Sequence, residues 1–303
     1  MPPVLAVIEL NFDPLLHVGQ LMFRMQTIGV TLAVLAALTV AALMAPDISM
    51  QRWFSRSTET RGGPLRLDDM VLIIAGTVPG AVIGGRIVHV ISFWDAYAAS
   101  PLRVFDPSVG SLSLLGAVLG GLVSATYVAH LVGAPVRRWA DAAAVPLLLV
   151  IGLGKLSQLL GGSGQGLPFD GPWALAFAGD HPWVSFNPRI PSHPAQVYEA
   201  MWALAGIPIV LALTGPRRIP VRVSQAVAWA DRVAEEGRVF VGALAWFLIG
   251  RVLVGFTWRD ETILGPLNAE QVLALIGLIP ALALLQPGAR RWLATAFGAG
   301  ASS

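Results

Sequence analysis

The chain of 303 residues is 55% hydrophobic and 13% charged, with a mean hydropathy of +0.68, a balance that excludes an ordinary soluble domain and points to a polytopic membrane protein. Its net charge of +2 and pI near 9.5 do not argue for nucleic acid, because the basic residues sort by side of the membrane. The absence of cysteine rules out disulfides, thiolate metal sites and a cysteine nucleophile on the protein itself, and the five histidines are too scattered to propose a zinc site.

Residues 1–26 lack the basic start and small-residue cleavage site of a signal peptide, and Glu9 and Asp13 argue further against one. This segment reads as an external, surface-lying lead-in. Seven apolar runs follow, near 27–45, 70–92, 111–133, 142–160, 196–214, 238–258 and 267–286. Each is roughly 18–23 residues, enough to cross a hydrocarbon core about 30 Å thick. The reading is therefore an all-α fold with about seven transmembrane helices in one domain spanning 1–303. The odd number of spans and the lack of a fixed-period repeat disfavour two equal halves.

Alternate connections carry most of the arginine: Arg52, Arg56, Arg61 and Arg66; Arg137 and Arg138; Arg217, Arg218, Arg222, Arg232 and Arg238; then Arg290 and Arg291. The other side holds Arg24, Arg103, Arg189 and Arg259, so thirteen against four places the N-terminus outside and the C-terminus in the cytoplasm. Trp53, Trp94, Trp139 and Trp258 fall near span ends, as interfacial anchors do. Two connections exceed simple turns. Residues 161–195, rich in Gly, Pro and aromatics, are expected to cover the outer mouth as a lid or substrate platform, and the basic stretch 215–237 reads as a short interfacial helix near anionic lipid. Gly80 with Gly84 and Gly116 with Gly120, at four-residue spacing, are expected to let neighbouring helices approach closely.

Three cations lie inside the apolar runs: Arg86, Lys155 and Arg251. Each costs about 2.5–3.5 kcal/mol at a helix centre on insertion scales, so such residues usually face a polar cavity and mark a ligand path. Glu199 is the acidic residue read as lying within a span, which leaves excess positive charge at membrane depth and suggests an anionic ligand such as a phospholipid headgroup. His193, Gln196, Tyr198 and Glu199 cluster at the start of the fifth span in SHPAQVYEA, with Gln196 and Glu199 on one helix face. Spacing alone leaves Glu199 open between a counter-ion and a catalytic group. Arg86 and His89, three apart, share a face. His89 is a candidate proton acceptor beside a phosphate on Arg86, or a packing residue.

HPAQVYEA resembles the HPxQLYEA block of bacterial prolipoprotein diacylglyceryl transferases, and the resemblance extends over nearly all seven spans. DDMVLIIAGTVPGAVIGGRIVHVISF is similar to that family's second span. SLSLLGAVLGG matches the frame of its Ser-Phe-His-Gly-Gly-Leu block, GKLSQLLGGSGQGLP that of its Gly-Arg-Ile-Gly-Asn-Phe signature, and FLIGRVLVGF its Tyr-x-x-x-Arg segment. The resemblance implies transfer of diacylglyceryl from phosphatidylglycerol to the lipobox cysteine thiol of an exported lipoprotein precursor. Glycerol phosphate is released, without metal or nucleotide, at the bacterial plasma (inner) membrane. That chemistry needs cations on the phosphate and a base for the thiol. Carried over residue by residue, it implies substrate binding by Arg86, Lys155, Gln158, Gly166, Gln196, Tyr198 and Arg251.

The chain departs from the family pattern at several positions. Leu115 stands where the family has histidine and Ala117 replaces a glycine; Lys155 replaces the signature arginine, Gln158 an asparagine, Ser163 an acidic residue, Phe247 a tyrosine and Gln26 a first-span tyrosine, while Gly166 is retained. Lysine keeps the charge but loses the planar fork, and leucine moves no proton. Two readings follow. One is a divergent transferase whose base is His89, His193 or Glu199; the other is a homologue that binds phospholipid without transferring it. A lipid or anion transporter using the same positive cavity is a third.

Overall fold

The computed structural model describes residues 8–44, 67–98, 100–106, 112–182, 187–213 and 236–286. Seven long helices account for the seven apolar runs: α1 (Met25–Met44), α2 (Leu67–Ser92), α4 (Leu114–Leu131), α5 (Val136–Ser157), α6 (Ala195–Leu213), α7 (Arg238–Gly255) and α8 (Ala269–Leu285), with a short α3 (Trp94–Ala98) after α2. Six are long and apolar enough to cross a membrane, and α8 is a shorter apolar helix of 17 residues. The chain is a multi-pass membrane protein. Trp53, the basic stretch 215–237 except for its last two residues, Arg52, Arg56, Arg61, Arg66, Arg290 and Arg291 lie outside the described residues.

The fourth apolar run of the sequence begins later than the helix that contains it: α5 starts at Val136, six positions before the apolar stretch near 142. The polar first turns have a use. Asp141 accepts from the backbone N–H groups of Gly237 (2.6 Å) and Phe240 (3.0 Å), capping the start of α7 from a neighbouring helix. Those N–H groups have no partner within α7, so a carboxylate is needed there.

α2 and α4 touch along their glycines. A Cβ on Gly84 would run into the Gly116 carbonyl and one on Gly80 into the side chain of Ser124, while Ser124 donates to the Gly76 carbonyl at 2.5 Å. This is the close approach that the four-residue spacing predicts. α1 lies against α5, where a Gly29 Cβ would stand 2.7 Å from Ser157 Cβ. α6 and α7 are joined by a reciprocal tryptophan pair: each of Trp202 and Trp246 donates its indole N–H to the other's carbonyl at 2.8 Å, and the rings stack at 4.5 Å. Gly250 and Gly206 leave the room, since a Cβ on either would strike the opposing indole. The apolar core beneath joins Leu115 of α4, Leu148 and Ile151 of α5, Ala203 of α6, Phe247 and Leu248 of α7, and Ala274 of α8.

The lead-in is not merely laid on the surface. Its β1 (Ile8–Leu10) pairs in parallel with β4 (Leu175–Phe177), and β2 (Leu15–Val18) forms a hairpin with β3 (Leu21–Arg24) through Gly19, whose φ of 62° suits the turn. A second hairpin, β5 (Thr262–Leu264) with β6 (Leu267–Asn268), leads into α8. Strands of two to four residues are too short to show a period in the sequence. Residues 162–194, apart from 183–186, pack across the ends of α5, α6 and α7: Gly166 N–H donates to His193 O (2.7 Å), Leu167 N–H to Thr257 O (2.7 Å) and Gln196 N–H to Gly164 O (3.3 Å).

Candidate active site

Helix register explains the centre of the site. Lys155 lies in the last turn of α5, Glu199 in the first turns of α6, Arg251 near the end of α7 and Glu270 in the first turn of α8, so all four are brought to the same end of the bundle. Glu199 Oε2 lies 2.5 Å from Lys155 Nζ. Glu199 Oε1 accepts from Arg251 Nη1, and from Trp258 Nε1 at 3.1 Å. Arg251 turns its Nη2 to Glu270, and the other oxygen of Glu270 accepts from Ser113 Oγ at 2.5 Å. The Lys155 ammonium stands 4.6 Å from the centre of the Trp258 ring, within cation–π reach. A guanidinium shared between two carboxylates uses Arg251's planar fork, which a lysine does not have.

This geometry corrects one inference from the sequence. Glu270, the second residue after the Asn268 cap of α8 and within the last apolar run, is not among the acidic residues that the sequence reading places at membrane depth, yet it makes the cluster two cations against two carboxylates. The excess positive charge is therefore not present at Lys155 and Arg251. Nor do the three cations converge. Arg86 donates from Nε to Val104 O (2.7 Å) and from Nη2 to Arg103 O (2.9 Å) and Asp106 O (2.8 Å), with its guanidinium 5.4 Å from the Tyr97 ring centre. It holds the 101–106 turn against α2.

The other expected residues fall into two groups. Gln158 and Gln196 adjoin the cluster, each three positions from Lys155 or Glu199 on its helix, and flank Gly164. His193 stacks on Phe169 at 4.1 Å and lies 3.3 Å by Nδ1 from the Tyr198 hydroxyl, which itself accepts from Trp173 Nε1 at 2.7 Å. Gly166 is wedged against His193 and the Thr257 carbonyl, where no Cβ fits. His89 stands apart, its ring 4.8 Å from Phe93 and edge-on to Tyr97 at 6.1 Å.

Residues beyond the sequence reading complete the surroundings. Arg259 donates to Gly166 O and Ser192 Oγ, both at 2.5 Å, and so ties the 162–194 segment to the end of α7. Asp260 follows it; burial pushes its carboxyl above the ordinary value of 3.8, while Arg251 and then Lys155 pull it back. The Trp-Arg-Asp run seven to nine residues after the intramembrane Arg251, just beyond the end of α7, is the available sequence signal for both. Beneath the ion pairs, Ile151, Glu199, Trp202, Ala203, Phe247, Gly250 and Arg251 enclose about 10 Å³, room for one water at most.

Some of the positions read from the sequence as departures lie together. Ser163 Oγ donates to Gln26 Oε1 at 3.1 Å, so the two residues read as standing in place of an acid and a tyrosine are bonded to each other. Leu115, fully buried, and Phe247 belong to the same apolar core below the ion cluster.

A family model described as prolipoprotein diacylglyceryl transferase matches residues 15–286. The chain is similar to proteins named phosphatidylglycerol–prolipoprotein diacylglyceryl transferase from three sources. That of Trichormus variabilis is 26% identical over 254 residues, covering 81% of this chain and 82% of the relative. That of Geobacter sulfurreducens is 30% identical over 238 residues, covering 75% and 82%. That of Bacillus anthracis is 30% identical over 216 residues, covering 70% and 72%. The match runs from the first hairpin to the end of α8, through every helix that contributes to the ion cluster, and this chain belongs to the prolipoprotein diacylglyceryl transferase family.

Proposed function

We infer that this protein transfers the diacylglyceryl group of phosphatidylglycerol to the lipobox cysteine thiol of an exported lipoprotein precursor, in the plasma membrane of a bacterium. The observation that carries the reading is the buried Lys155–Glu199–Arg251–Glu270 cluster in a chain that belongs to this family from its first hairpin to α8. A lipid-binding homologue without activity, or a transporter, is not favoured by relatives that carry the transferase name.

The chemistry follows from charge. A phosphodiester entering from the bilayer competes with the carboxylates for the N–H groups of Lys155 and Arg251. As it takes them, Glu199 loses the cations that stabilise its charge and stands beside an anion. The incoming thiol then gives its proton to Glu199. Its sulfur attacks the glyceryl carbon bonded to the phosphate oxygen, the C–S bond forms as that C–O bond breaks, and glycerol phosphate leaves with the bonding pair. Charge develops on the departing phosphate oxygens, where Lys155 and Arg251 stabilise it. Glu199 then returns the proton to the leaving phosphate or to water, so that atoms and charge balance. Glu270 and Ser113 orient Arg251, and His193 with Tyr198 lines the approach from residues 161–195, the proposed lid.

The test uses purified protein, phosphatidylglycerol and a lipobox peptide. A thioether-linked product and one equivalent of glycerol phosphate are expected. No product, with an authentic transferase active in parallel, would overturn the assignment.

A further inference from the structure

Two primary amides stand one turn from the Lys155–Glu199 bridge, on the side of the loop segments. Gln158 follows Lys155 by three positions where α5 ends, and Gln196 precedes Glu199 by three where α6 begins. Both are thus displaced about 4.5 Å along their helix axes, in the same direction. Gly164 is packed against the pair: a Cβ there would lie 2.7 Å from Gln158 Oε1 and 3.0 Å from Gln196 Cβ. Gln196 has 0% exposure. Its Oε1 and Nε2, and Gln158 Oε1, are buried without a hydrogen-bond partner among the described residues. Buried polar atoms left unpaired are destabilising and call for an explanation, and here three of them gather beside the cations.

We propose that Gln158 and Gln196 read the hydroxyl groups of an uncharged polyol headgroup on the lipid whose phosphate Lys155 and Arg251 hold. The direction is right. In a lipid leaflet the headgroup lies on the water side of its phosphate, and the amides lie on the loop side of the cations. The chemistry is also complementary, since a primary amide both donates and accepts, as a hydroxyl does. An ammonium headgroup has donors only and brings positive charge toward Lys155 and Arg251. A headgroup without hydroxyls leaves the amides unpaired, and sites built to bond a hydroxyl reject analogues that lack it. Glycerol is the headgroup class that fits. This inference rests on the phosphate site proposed above.

The experiment compares binding of the full chain in nanodiscs to phosphatidylglycerol and to phosphatidylmethanol, which carries the same phosphodiester charge and no headgroup hydroxyl. The wild-type protein is expected to prefer phosphatidylglycerol by roughly tenfold or more. Gln196→Leu is expected to lose affinity for phosphatidylglycerol and bring the two lipids within about twofold, without weakening phosphatidylmethanol binding, because the unpaired amide is gone. Gln158→Leu, on a different helix, makes the same test if the first variant does not fold. Retention of the wild-type preference in the folded variants would mean that the amides hold ordered water only, and would overturn the proposal. Equal binding of both lipids by the wild type would also overturn it while leaving the phosphate site standing. Binding of neither lipid would remove the phosphate site itself.

Discussion

Replacing Glu199 by glutamine keeps the side chain's shape and removes one charge from the centre of the ion cluster. The carboxylate has three donors: Arg251 and Trp258 on one oxygen and Lys155 on the other at 2.5 Å. An amide has one acceptor oxygen, so its NH2 must face either the guanidinium or the ammonium. Arg251 keeps Glu270, and the burden falls on Lys155, whose side chain is 11% exposed. Removing one partner of a buried ion pair costs about 3–5 kcal/mol; Arg251's second carboxylate places this variant near the lower end, about 3 kcal/mol. At about 2–4 °C per kcal/mol, the scaling of soluble domains somewhat smaller than this chain, the Tm falls by about 6–12 °C. Thermal unfolding in detergent, followed by tryptophan fluorescence, measures it. Adding Lys155→Met removes the stranded ammonium, so the double variant is expected to regain at least about 1 kcal/mol over Glu199→Gln. A Tm unchanged in the single variant, or strictly additive losses in the double, would refute the reasoning.

Arg251→Lys cannot reach Glu199 and Glu270 together, and kcat/KM for transfer is expected to fall at least about tenfold, or 1.4 kcal/mol; equal turnover would show that the bridge is dispensable. Asp260 holds its proton more tightly in the folded chain than in the unfolded one, so stability falls as pH rises from 3.8 through the raised folded value and is level above it. Asp260→Asn removes that slope. Its stability relative to wild type is expected to rise with pH across the window, and parallel pH–stability curves would contradict the assignment. Gly84→Val would drive a side chain into the Gly116 carbonyl and is expected to destabilise by about 1–3 kcal/mol or more, read as a lower unfolding midpoint; an unchanged midpoint would deny the close α2–α4 contact.

The spans were legible because apolar runs of membrane length have few other uses. α5 shows the limit of that reading. Its start is polar because Asp141 serves α7, a partner 96 positions away that no local pattern reveals. Lys155, Glu199 and Arg251 stood out as charges in apolar sequence, and the fold brings all three into one cluster. Glu270 was hidden by its place in the capping sequence Asn-Ala-Glu-Gln, where an acid is ordinary at a helix start. Arg86 had the same sequence signature as Arg251, yet its guanidinium serves backbone carbonyls of a turn 17 to 20 residues on. A buried cation in sequence announces that something must compensate it, without saying whether that is a ligand, a carboxylate or the chain itself.

The mutual indole-to-carbonyl bonds of Trp202 and Trp246 bear on how a closed cluster admits lipid. They stitch α6 to α7 within a turn or so of Glu199 and Arg251, and the glycines opposite each ring leave no slack for sliding. These two helices behave as a fixed jamb. A phosphodiester therefore reaches the cluster by exchanging with the carboxylates around Lys155 and Arg251 and not by parting α6 from α7, and the helices on either side, α5 and α8, are themselves packed on that pair through the apolar core.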